Sequence, residues 1–135
     1  MNVTSGVATF NLAAQVVLMA LVLTGSLLAF RGKLRPHCWV MRTAIVGQLL
    51  LIGIIMAPQV ARYYAHWSGF SSFTIELVVH HAFGVAALLL AIYINLAFTG
   101  ILRRPRRFYW VMRATLATWT VSLGLGIYLF WYLWR

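Results

Sequence analysis

The chain has 135 residues, 63% of them hydrophobic and 9% charged. A soluble domain of this size carries roughly 25% charged residues, so a fold facing water on all sides is excluded, and no length remains for a soluble module beside the apolar runs. Lys and Arg number 11 against a single acid, Glu76; they cluster in two short gaps between apolar runs, which points to a membrane surface and away from nucleic acid.

Four apolar stretches follow in chain order, at about 10–30, 38–58, 74–100 and 108–134. Each reaches the ~20 residues that a helix rising ~1.5 Å per residue needs to cross ~30 Å of hydrocarbon. The expected fold is therefore all-α: a polytopic membrane protein with one domain, 1–135, of four transmembrane helices in an antiparallel bundle. The first span carries Asn11 and Gln15 and has no basic residue before it, which reads as a retained helix rather than a signal peptide. A basic connection from Arg31 to His37 follows, with Pro36 expected to stop helix continuation.

The second span opens on Cys38 and Trp39, carries Gln48 near its middle and is expected to end at Pro58. The connection after it, 59–73, holds Tyr63, Tyr64, Trp67, Phe70 and Phe73 among Ser and Gly, the composition of a segment lying in the headgroup layer. The third span begins with Glu76, His80 and His81. A second basic connection, Ile101 to Arg107 with Pro105, leads into the fourth span. The two connections echo one another: Arg35-Pro36 before Trp39-Val-Met-Arg42 resembles Arg104-Pro105 before Trp110-Val-Met-Arg113. Two related hairpins account for this, as does the general use of Trp and Arg as interface anchors.

Charge by side sets the expected topology. Arg31, Lys33, Arg35, Arg42, Arg103, Arg104, Arg106, Arg107 and Arg113 fall on one side, and Arg62 and Arg135 on the other. The positive-inside rule places both basic loops in the cytoplasm of a bacterial inner membrane and both termini outside.

Polar side chains are costly in hydrocarbon, so those within spans are the places to look for chemistry. Glu76 lies one turn before His80 on the third span, and the outer half of the bundle is expected to gather Asn11, Gln15, His66, Glu76, His80, His81 and Tyr128. Imidazole is a common haem and metal ligand, and Glu76 could set a tautomer from behind. The alternative is that Glu76 and His80 merely satisfy one another. Any bound haem or metal is expected at His66, His80, His81 and Glu76, with a second axial ligand from His66 or a partner chain, because adjacent histidines on one helix diverge by ~100°. His37 reads as a headgroup contact, and Cys38 beside it supplies too few ligands for a zinc site. Gln48 reads as a helix-to-helix hydrogen bond, and the methionines as apolar filler. With no Asp and one Glu, no catalytic residue is assigned and an enzyme is not expected.

From about residue 10 to the end the chain resembles the small four-helix membrane family that includes the CtaM (YozB-like) factors of cytochrome oxidase maturation. The resemblance rests on Pro36-His-Cys-Trp-Val-Met-Arg42, Tyr64-Ala-His66 with Gly69, the Glu76 to His81 opening, and Trp119 with Gly126-Ile-Tyr128. The family pattern has a further histidine at the start of the fourth span, where this chain reads Arg106-Arg-Phe-Tyr-Trp110. Two functions are therefore expected to compete. One is a non-catalytic accessory subunit of a larger respiratory or photosynthetic membrane complex, packed against bigger integral subunits, with anionic lipid at its basic loops. The other is a haem-handling or assembly factor for a haem-copper terminal oxidase.

Overall fold

The computed structural model describes residues 5–65, 69 and 72–134. The helices are α1 (Ser5–Phe30), α2 (Leu34–Leu51), a π-helical turn (Ile52–Met56), α3 (Ala57–Ala65), α4 (Ser72–Phe98) and α5 (Phe108–Trp134), with no strand among the described residues. Four helical stretches are long and apolar enough to cross a membrane: Gly6–Phe30, Leu34–Ala65, Phe73–Phe98 and Phe108–Tyr132. The protein is an all-helical, four-span membrane protein.

The second span departs from expectation. Pro58 does not end it; the helix runs from Leu34 through the π turn to Ala65. Proline breaks an α-helix by removing one N–H and driving its ring into the carbonyl four residues back. The wider turn just before Pro58, closed by a hydrogen bond from the Ala57 N–H to the Ile52 carbonyl, relieves that clash, and helices absorb such insertions as single π turns. Of the aromatic segment, Tyr63 and Tyr64 thus belong to α3, their rings meeting edge to face at 5.5 Å, and Phe73 belongs to α4, stacked on Tyr132 at 5.8 Å. His66, Trp67 and Phe70 lie outside the described residues.

The chain divides into two compact units, one running from α1 through α3, the other built of α4 and α5 up to Tyr132. In the first, α1 and α2 form a hairpin. The buried positions on α1 are Gln15, Leu18, Met19, Val22 and Gly25, a helical stripe, and those on α2 are Ala44 and Ile45. Glycines set how closely the two helices approach: a β-carbon on Gly25 would lie 2.8 Å from Met41 Sδ, and one on Gly47 would lie 3.0 Å from Leu18 Cδ2. Small residues at such crossings replace the hydrophobic drive that lipid removes.

The second unit follows the same logic. Thr74, Ala87, Ala91 and Ala97 are buried on α4, and Thr115, Trp119, Ser122 and Leu129 on α5. A β-carbon on Gly84 would lie 3.3 Å from Ser122 Oγ, and one on Gly126 would lie 3.1 Å from His80 Cε1.

The echo between the two basic connections extends to their backbones. α1 ends with the Gly32 N–H on the Ala29 carbonyl (3.0 Å) and the Lys33 N–H on the Leu28 carbonyl (2.9 Å); α4 ends with the Gly100 N–H on Ala97 (3.3 Å) and the Ile101 N–H on Leu96 (3.0 Å). Both are the Schellman arrangement, with glycine at the left-handed position, φ 72° at Gly32 and 82° at Gly100. The second turn adds an Arg104 cap: its Nε donates to the Ala97 carbonyl (3.1 Å) and its Nη2 to Phe98 (3.2 Å), with the guanidinium over the Phe98 ring.

Candidate functional site

The side chains singled out from sequence separate once placed. Asn11 and Gln15 belong to the first unit; Glu76, His80, His81 and Tyr128 belong to the second; His66 is outside the described residues.

His80 points from α4 to α5. Its Nδ1 lies 2.9 Å from the Ser122 carbonyl oxygen, and Ser122 Oγ lies 3.4 Å from the His80 carbonyl. A carbonyl only accepts, so Nδ1 carries the proton and Nε2 keeps its lone pair. Gly126, one turn beyond Ser122, lets the Nδ1–Cε1 edge of the ring pack against α5, where a β-carbon would lie 3.1 Å from Cε1. Neither Ser122 nor Gly126 is expected from the sequence as a partner of His80.

His81 behaves locally. Its Nδ1 donates to the Leu77 carbonyl of its own helix at 2.7 Å. The His80 and His81 rings meet edge to face, centroids 5.3 Å apart and planes at 74°. This is a packing contact and not a pair of imidazoles facing each other across one iron. Glu76 is half-buried and makes no hydrogen bond or ion pair among the described residues. The expectation that Glu76 and His80 satisfy one another is corrected: the His80 proton is committed to Ser122. Tyr128 is exposed and stacks on Tyr132 at 6.5 Å. Among the described residues no three His, Cys, Asp or Glu side chains are placed to share a metal ion.

The first unit holds a parallel feature. His37 Nδ1 lies 2.7 Å from the Gly25 carbonyl of α1, so this imidazole too carries its proton on Nδ1 and ties two helices together. It is a helix-to-helix fastener rather than a headgroup contact. Conversely, Gln48, expected to hydrogen-bond between helices, has its Oε1 buried without a partner, as do Asn11 Oδ1 and Gln15 Nε2. Side chains lean toward the N-terminus of their own helix, so in an antiparallel pair the amides of Gln15 and Gln48 lean apart.

Compared with known proteins, the chain matches no family model, no curated protein and no solved structure.

Proposed function

We propose that the protein is a small non-catalytic accessory subunit of a larger electron-transport complex, respiratory or photosynthetic, in a bacterial inner membrane. The observation that carries this reading is the narrowness of its interior. On α4 the buried side chains in the span are Thr74, Ala87, Ala91 and Ala97, while Ile75, Val78, Val79, Val85 and Leu89 stay uncovered. Such a helix presents a broad apolar face for larger integral subunits. Both termini face outward in this reading, the basic loops Arg31–Arg35 and Arg103–Arg107 lie in the cytoplasm against anionic lipid headgroups, and nucleic acid has no part. Purification in mild detergent tests it: larger membrane subunits co-purify with the tagged chain, whereas a clean monomer at every detergent strength contradicts it.

A second reading is favoured by His80. Metal-bound histidines commonly donate their other ring N–H to a backbone carbonyl, which fixes the tautomer and ring orientation, and His80 makes that hydrogen bond to Ser122. His80 would hold the iron of a haem, with His81 next to it on α4, and a further ligand would come from a partner chain. Haem would supply electron-transfer chemistry to a haem-handling or oxidase-assembly factor, which is also what the resemblance to the CtaM-containing family implies. A Soret band abolished by His80→Ala with His81→Ala, and retained in His37→Ala, is the expected outcome; an absent band in the wild type removes this reading.

A further inference from the structure

The π turn of the second span carries an unpaired backbone group. Pro58 has no N–H, and the Ala57 N–H is already given to the Ile52 carbonyl. These two residues stand five and four places beyond Gly53, the donors that a π or an α register would offer its carbonyl. No side chain among the described residues donates to it instead. The Gly53 carbonyl is therefore an acceptor without a donor.

Its surroundings make that costly. Gly53 sits roughly midway between Arg42 and Arg62, deep in the hydrocarbon, where water is scarce and an unpaired backbone group carries a penalty. The chain itself does not cover it: Gly53, Ile54, Ala57 and Pro58 are all exposed, Ile54 at 72%, and a β-carbon on Gly53 would meet nothing within 4 Å. Acyl chains have no donor to give. A second copy of the chain is a poor source as well, because the exposed hydroxyls of Thr24, Thr43, Thr99 and Thr120 already donate to carbonyls of their own helices.

We infer that Gly53 is the docking point of a transmembrane helix from a larger subunit, one that presents a side-chain amide or hydroxyl donor at the middle of the bilayer. The missing β-carbon lets that helix approach the backbone closely, and its donor pairs the Gly53 carbonyl. This names the partner chemistry of the accessory-subunit reading and rests on it. Apolar faces in lipid can slide past one another, whereas a single acceptor fixes the depth at which the partner's polar residue must lie.

The test uses the full chain in phosphatidylcholine vesicles with a fluorescent single-span peptide, a leucine-rich helix carrying one central Asn, compared with the same helix carrying Leu there. Energy transfer shows the Asn peptide bound about threefold or more tighter, the scale of an interhelical hydrogen bond in lipid. Pro58→Ala supplies the missing N–H, so the Gly53 carbonyl gains a donor in either register and the preference disappears. Gly53→Leu removes it by blocking approach, while Gly124→Leu, at an exposed glycine of α5 with nothing within 4 Å of its β-carbon position, keeps it; circular dichroism checks that each variant retains its helices. The inference is overturned if the two peptides bind alike, if Pro58→Ala and Gly53→Leu both keep the preference, or if labelled chains transfer energy to one another and only that signal is lost in Pro58→Ala, which would make a second copy the occupant. Because a peptide stands in for the subunit, these failures are distinct from a failed co-purification of larger subunits.

Discussion

The two hairpins solve one problem in two places. Each turns through a glycine-ended Schellman cap, and each is fastened by an imidazole N–H donated to a backbone carbonyl on the opposite helix. In the α1–α2 hairpin the histidine comes from the second helix and reaches back 12 residues, close to the turn; in the α4–α5 pair it comes from the first helix and reaches 42 residues ahead, far from the turn. Near a turn the covalent connection already holds the helices together, so a hydrogen bond adds little closure. Far from it, the bond and the small residues around it do that work, because the cost of bringing two points together grows with the chain between them.

The largest effect is therefore expected at His80. His80→Ala removes the imidazole hydrogen bond to the Ser122 carbonyl and opens a hole opposite Gly126, destabilising the second hairpin by about 1–3 kcal/mol. His37→Ala has the same chemistry at the closed end and costs less. Unfolding in mixed micelles, followed by helicity, compares them directly; equal losses would remove the argument from distance.

Next come the turn glycines. Gly32→Ala and Gly100→Ala each force a β-carbon into a left-handed conformation, at about 1–2 kcal/mol. Losses differing by more than that range would show that the two turns, alike in hydrogen bonding, are not alike in energy.

The smallest effects sharpen the comparison at the crossings. Gly126→Ala presses on the rigid His80 ring, whereas Gly25→Ala meets the flexible end of Met41. Both cost under about 1 kcal/mol, with Gly126→Ala the larger, since methionine repacks with little penalty. Thermal unfolding in one detergent ranks them, and the reverse order would mean that Met41 is held more stiffly than the ring.

Much of this fold was legible in the sequence because lipid imposes a crude rule: every span announces itself by length and hydropathy. The α5 boundaries, 108–134, agree with the expected span, and the paired Arg-Pro and Trp-Val-Met-Arg segments marked two similar hairpins. Pro58 misled, since the rule that proline ends a helix omits the wide turn that accommodates it. At the candidate site His80 stood out as a polar residue in a span, but its partner did not. A backbone carbonyl at Ser122 or Gly25 has no side-chain signature.

Between Arg42 and Arg62 the long helix carries no charge, and at ~1.5 Å per residue that stretch measures ~29 Å, close to the hydrocarbon thickness. The wide turn at Ile52–Met56 thus falls near the centre of the bilayer. One extra residue in a turn swings everything beyond it by ~100° in azimuth. Below the centre the helix sets Ala44 and Ile45 into the protein, while α3 above it buries nothing. The helix acts like a camshaft with two lobes, aiming its two halves in different directions.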